Sequence, residues 1–263
     1  MDLASEAQPN ELLNALLGST WQHWLPQLEW TDMPLGRVLH QSGSRLSHVY
    51  FPATATVSWL YVTRSGSSTE MAAVGNEGMV GIEAFMGGAP MPGRAVVQTA
   101  GHGFRMKAAT VKAEFDRAGP TAHLLLRYTQ ALMTQISQLA ACNRYHSLDH
   151  RLSRWLLWCL DRLQGAEVVM THELIANLLG VRREGVTEGA MRLRDAGLIT
   201  YARGHIVVLD RSGLAQRSCE CYRVIRLAYD RLLPSPHAEA APGPHAHSRY
   251  PRSRYPNYAS VAA

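Results

Sequence analysis

The chain has 263 residues, 46% hydrophobic and 18% charged, with a formal net charge of +5; that gives room for two domains with separate cores. No apolar run approaches the ~18 residues a bilayer span needs, the densest being residues 155–160 between Arg154 and Asp161, so no membrane partner is expected. The start, MDLASEAQPN, lacks a basic segment followed by an apolar one, which points away from export and toward the cytoplasm.

Only Lys107 and Lys112 are lysines, so nearly all positive charge is arginine. Arginine suits phosphate and guanine contacts, although GC-rich coding would give the same bias. Cys142, Cys159, Cys219 and Cys221 all fall in the second half and read as free thiols in a cytoplasmic protein.

A short helix is expected over 11–17. From about residue 35 to 106 the runs HVYFPA, TVSWLYVT, TEMAAVG and AVVQTAG mix β-branched and aromatic residues between turn signals such as Gly87-Gly88. Many short strands at this spacing predict a small barrel or jelly roll. The texture changes after Gly119-Pro120, and proline does not recur until Pro234. Over 122–143 Leu125, Leu132 and Leu139 repeat every seven residues, with Ile136 beside them. Such a stripe predicts a coiled-coil seam between two subunits; the competing reading is a helix packed on its own domain.

A second helix is predicted over 146–163 and a last one over 214–232. Beyond Pro234 the tail is rich in Pro, Ala, Ser and His with little aliphatic content, so disorder is expected there. Its Arg249, Arg252 and Arg254 would add only weak polyanion affinity.

Between the last two helices lies THELIANLLGVRREGVTEGAMRLRDAGLI, residues 171–199. Thr171 can cap a first helix whose Leu174, Ile175 and Leu178 share one face. Gly180 stands where the chain must turn. In a second helix Val186, Ala190 and Leu193 fall on the buried side, leaving Arg182, Arg183, Glu184, Thr187, Glu188 and Met191 outward. LITYARGHIVVLD then reads as a hairpin turning at Arg203-Gly204. A helical hairpin followed by such a wing predicts a winged helix-turn-helix, with Thr171, Arg182, Arg183, Glu184, Thr187, Glu188 and Arg203 as candidate DNA contacts.

The whole order (short-strand barrel, long helix, winged helix) resembles the Crp/Fnr family of bacterial transcription regulators over roughly 12–233. The stretch above carries the resemblance most strongly. HSLDHRLSRWLL looks like the helix entering the DNA-binding domain, and LGRVLHQSG, GNEGMVGIEAFMGG and RAVVQTAG look like parts of the cyclic-nucleotide-binding-type barrel. The resemblance implies an α+β chain divided as a sensor domain over 1–120, a dimerisation helix over 121–145, a DNA-binding domain over 146–233 and a tail over 234–263. It also implies a homodimer joined through Leu125, Leu132, Ile136 and Leu139, with double-stranded DNA and RNA polymerase as partners. Arg183 and Glu184 match base-contacting positions, and both residue types suit base recognition, since arginine donates twice to guanine and glutamate accepts from cytosine. Glu188 departs from the pattern, because well-known members carry arginine there.

Members that bind cyclic AMP use a glycine–glutamate pair for the ribose and an arginine–serine pair for the phosphate. Here the second pair is Arg94-Ala95, and Met79 stands in the glutamate position with Glu77 two residues earlier. Cyclic AMP is therefore not the expected effector. Glu77 and Arg94 are the candidate contacts for another nucleotide, and a barrel without a ligand is the other reading. Iron–sulfur members carry an N-terminal cysteine cluster, whereas the first cysteine here is Cys142, so no cluster is expected. His23, His40, His48 and His102 are isolated and assign no haem. His146 and His150 are one turn apart, but Arg144 and Arg151 flank them, and Cys219-x-Cys221 has no partner pair nearby in sequence; no metal is assigned.

An enzyme is not expected. His172-Glu173 begins a zinc-protease motif that Ala176 breaks, and no nucleophile elbow or Walker loop occurs. The competing class is a ligand-binding signalling module whose helix-turn-helix serves protein contacts.

Overall fold

Alternation of β-branched and small residues in the first half is realised as two packed antiparallel sheets. The computed structural model describes residues 10–16, 19–163 and 165–233; the export reading at the start and the tail from 234 lie outside the described residues. Helices α1 (Glu11–Asn14) and α2 (Ser19–Trp24) and a 3-10 turn (Leu25–Gln27) come first. The strands are β1 (Glu29–Met33), β2 (Val38–His40), β3 (His48–Pro52), β4 (Thr56–Val62), β5 (Ser68–Val74), β6 (Arg94–Thr99) and β7 (Gly101–Lys107). They form one sheet in the order β1-β7-β3 and another in the order β2-β6-β4-β5.

The four sequence runs correspond to β3, β4, β5 and β6. The edge strand β1 and the glycine-containing β7 carry little of the alternation that betrays a strand, and their positions come from pairing. The first helix is shorter than expected and ends at Asn14, with Ala15 as its C-cap. Asn10 caps it, accepting from the Leu13 N–H, and its amide donates to the carbonyls of Pro52 and Gly78, which fastens the helix to the sheets.

Helices α3 (Ala108–Asp116) and α4 (Pro120–Tyr145) follow. Pro120 opens α4 at a position where its missing N–H costs nothing. The inner face of α4 lies on the sheets: the Tyr128 hydroxyl donates to the Met79 carbonyl at 2.7 Å and the Gln135 amide to the Ala73 carbonyl at 3.1 Å. A Cβ on Gly78 would sit 2.5 Å from the Tyr128 ring system, so only glycine lets the loop approach this closely.

This packing corrects the seam. Leu125, Leu132 and Leu139 are buried within their own chain, and Ile136 is half-buried against the same core. The stripe belongs to the alternative reading, a helix packed on its own domain. The outward stripe is one residue displaced: Leu126, Gln130, Met133, Ser137 and Ala140 are all exposed, at alternating steps of four and three. Leu126 and Met133 are 50% and 59% exposed.

The second half comprises α5 (Leu148–Leu160), β8 (Glu167–Val169), α6 (His172–Leu179), α7 (Arg183–Asp195), β9 (Ile199–Ala202), β10 (His205–Val208), α8 (Arg211–Arg217) and α9 (Cys221–Leu232). The single helix expected over 214–232 is two helices. Asp210 caps the first, which ends at Ser218, and the chain redirects through Cys219 before α9 begins. Helix α9 then turns back onto α4, with Tyr229 edge-on to Tyr128 at 6.5 Å and Ile225 and Leu233 in the core shared by α4 and the first-half sheets.

Candidate nucleic-acid interface

Helix α6 begins at Thr171, whose hydroxyl accepts from the Leu174 N–H at 3.2 Å. It ends at Gly180, at φ +62°, a left-handed conformation that lets the Val181 N–H bond back to the Ala176 carbonyl. Ile175, Ala176, Leu178, Leu179, Val186, Ala190 and Leu193 close an apolar core between α5, α6 and α7. Thr171 is thereby fixed in a capping role, exposed at the edge of the surface.

Helix α7 presents Arg182, Arg183, Glu184 and Glu188 to solvent, with Thr187 half-buried among them. The Thr187 hydroxyl donates to the Arg183 carbonyl at 3.1 Å and lies 3.0 Å from His172 Nδ1. His172 in turn stacks on Tyr201 of β9 at 4.1 Å. Burial, and then the nearby Arg183 charge, hold its pKa below the ordinary histidine value, so the neutral ring is favoured. Thr187 thus braces the first helix, the second helix and the wing against one another. His172, which the sequence offered only as half of a broken protease motif, is part of the same brace.

Glu188 lies 3.8 Å from Arg192, which forms a two-pronged pair with Asp149 of α5 at 2.7–3.1 Å. Arg151 of α5 donates to the Leu179 carbonyl, satisfying the C-terminal end of α6. The second helix is therefore fixed on its inner side while its arginine-bearing N-terminal turn stays open.

The wing is the hairpin β9–β10, extended by β8 into a three-stranded sheet in the order β8-β10-β9. Its two-residue turn has Arg203 at φ +49° and Gly204 at φ +86°. That turn favours asparagine followed by glycine, so an arginine is strained there, and its side chain is exposed.

Residues 150–217 match the model of the Crp-like helix-turn-helix domain. The chain has the Crp/Fnr regulator fold. A candidate Crp/Fnr-family transcriptional regulator from Eubacterium rectale superposes at TM-score 0.64 and 19% identity, covering 82% of this chain and 99% of that one. FixK2 from Bradyrhizobium japonicum gives TM-score 0.64 at 15% identity, covering 73% and 98%. CLP from Xanthomonas campestris, a global regulator responsive to c-di-GMP, gives 0.55 at 15%, covering 73% and 98%. No curated protein matches the chain by sequence. Among the described residues no helix is long and apolar enough to cross a membrane.

In this Crp/Fnr-fold chain the two candidate effector residues have different surroundings. Glu77 is buried and spent: its carboxylate accepts from Arg162 at 2.9 Å on both oxygens and from the Gly75 N–H at 3.2 Å. The Arg162 guanidinium also lies over the Trp158 ring at 4.1 Å. This corrects Glu77 as an effector contact. It instead clasps the β5–β6 connection to the end of α5, which no local pattern could announce. Arg94 is half-buried at the start of β6, and its Nε is buried without a hydrogen-bond partner among the described residues. Met79 and Ala95 are core residues lining a cavity of about 40 Å³ with Trp59, Ala72 and Leu132. Ligand pockets run to roughly 300–1,000 Å³.

A second contact joins the sheets to the helix-turn-helix. Thr69 of β5 lies against the α6–α7 turn, where a Cβ on Gly180 would stand 3.1 Å from its hydroxyl, and Ser68 donates to the Asn177 carbonyl at 3.4 Å.

Proposed function

We propose that the protein is a homodimeric regulator that reads double-stranded DNA through α7 and steadies the complex through the wing. The observation that carries this is the pairing of an open turn bearing Arg182, Arg183 and Glu184 with an inner side locked by Asp149–Arg192 and His172–Thr187. Arg183 and Glu184 would reach base edges, and Arg182 at the helix start would meet phosphate. Arg203 supports phosphate contact by the wing, because an arginine kept in a left-handed turn position carries strain that binding can justify.

The dimer would form along the outward stripe of α4, Leu126, Gln130, Met133, Ser137 and Ala140, which sets two recognition helices on one duplex about a helical turn apart. RNA polymerase as a further partner rests on the family resemblance alone. The sensor sheets are not built for cyclic AMP: Glu77 is committed to Arg162, and the cavity beside Met79 and Ala95 is about a tenth of the size of such a ligand's pocket. Arg94, whose Nε has no hydrogen-bond partner among the described residues, would serve an anionic effector of another kind.

The test is competition over a randomised operator library at two salt concentrations. Arg183→Ala should cost roughly 1–3 kcal/mol at the preferred site and relax one base pair per half-site. Arg203→Asn keeps a turn-competent residue and should weaken all sequences alike, lowering the salt slope by about one phosphate per subunit. Equal losses for every sequence in both variants would refute base reading by α7. Absence of salt-sensitive DNA binding would favour the signalling module that uses its helix-turn-helix for protein contacts.

A further inference from the structure

The tertiary fold supplies what Cys219-x-Cys221 lacks in sequence. Cys142 in the last turn of α4, His146 at its C-cap, and Cys219 and Cys221 at the start of α9 converge on one point. Their ligand atoms all lie within 4.8 Å of one another, and the three thiols are buried. Cys142 Sγ is 3.5 Å from Cys219 Sγ, and Cys221 Sγ is 3.5 Å from His146 Nδ1.

We propose that these four residues bind a single zinc ion in a tetrahedral Cys3His site that joins the long helix to the C-terminal helix.

Three features support it independently. Zinc–sulfur bonds of about 2.3 Å and zinc–nitrogen bonds of about 2.0 Å place tetrahedral ligands roughly 3.5–3.8 Å apart; the Cys142–Cys219 and Cys221–His146 separations of 3.5 Å match, and the remaining pairs, all within 4.8 Å, need only a small closing movement. Ligands of a multi-iron cluster sit on separate metals and would stand wider. The second feature is the histidine's orientation. Nδ1 faces the thiols while Nε2 lies 3.3 Å from a Glu220 carboxylate oxygen. A carboxylate behind a ligating imidazole fixes its tautomer and turns its lone pair to the metal.

The third is charge. Three thiolates on Zn²⁺ leave a net charge of −1, which would be costly to bury alone. Arg151 and Arg154 are buried beside the cluster and act electrostatically on Cys142, and the Nε of each has no hydrogen-bond partner among the described residues. Binding consumes no oxidant: Zn²⁺ displaces the three thiol protons to solvent and keeps its oxidation state.

Position gives the site its consequence. The winged helix-turn-helix lies in sequence between the two ligand pairs, so the ion would pin both ends of that unit to the base of α4. The residual His146–His150 pairing fails as a site because the two rings meet edge-on at 6.2 Å and His150 is exposed.

The experiment uses the full chain, purified under reducing conditions and loaded with zinc or cobalt. Elemental analysis should find about one zinc per chain. Cobalt should give the strong visible absorption of a tetrahedral site together with a thiolate charge-transfer band. Zinc should protect three of the four cysteines from alkylation; because Cys159 is buried elsewhere, a chelator must restore labelling of the three and not of Cys159. Cys219→Ser and His146→Ala should each lower zinc retention at least tenfold, whereas His150→Ala should retain it fully. Should a serine variant fail to fold, the cobalt spectrum and zinc protection of the unaltered chain still decide. A reduced chain that binds neither metal at micromolar concentration, or one in which Cys142 and Cys219 are recovered as a disulfide despite excess zinc, would overturn the proposal.

Discussion

Adjacent residues on α4 should fail in opposite ways when changed. Leu132 is 3% exposed and packs in its own chain's core, so Leu132→Ala should cost about 2–5 kcal/mol of folding stability by removing buried methyl groups and leaving a cavity. Against a total of roughly 5–15 kcal/mol for a domain, that is a large loss. Met133 is 59% exposed, and a charge there should change the folding of one chain by no more than about 0.5 kcal/mol. Across a two-fold axis, however, Met133→Glu sets two carboxylates against each other in a closing interface. If that costs about 3 kcal/mol, dimer dissociation rises by more than 100-fold. Sedimentation velocity over a concentration series reads the second effect, and urea unfolding at matched concentration reads the first. Met133→Glu should be a folded monomer with weakened DNA affinity, and Leu132→Ala a dimer with a lowered urea midpoint. A Met133→Glu protein that stays dimeric, or a Leu132→Ala protein that becomes a monomer of unchanged stability, would return the seam to the Leu125–Leu132–Leu139 face.

Two further outcomes follow from the interior. Gly180→Ala should destabilise by about 1–2 kcal/mol, since φ is +62° and its Cβ would crowd Thr69, while Gly180→Asn should cost less; thermal unfolding compares them. Burial pushes the Glu70 carboxyl up to about 7 from 4.5, although Ser58 donates to it and Arg154 lies near. The folded state then holds the extra proton, so this group makes stability fall as pH rises from about 4.5 through 7. Above pH 7 the deficit reaches about 3 kcal/mol at most. Glu70→Gln should therefore gain about 1–3 kcal/mol at pH 8 and almost nothing near pH 4; an equal change at both ends would refute the assignment.

Local chemistry wrote much of this molecule into its sequence. The Thr171 cap, the Gly180 turn, the Arg203-Gly204 hairpin and the three-to-four spacing of Val186, Ala190 and Leu193 are signals within a few residues, and each is realised at those positions. The outward placement of Arg182, Arg183, Glu184 and Glu188 follows from the same periodicity. What the sequence left open was which surface a face would meet. Leu125, Leu132 and Leu139 and Leu126, Met133 and Ala140 are both seven-residue stripes, rotated by one residue, and periodicity alone assigns neither to the sheets. Tyr128 and Gln135, bonding to Met79 and Ala73, decided it. Likewise Glu77 meets Arg162 across 85 positions, and Cys142 meets Cys219 across 77. Neither pair has a local spacing to announce it, because the first exists only once the end of α5 has packed against the β5–β6 connection and the second only once α9 has folded back along α4.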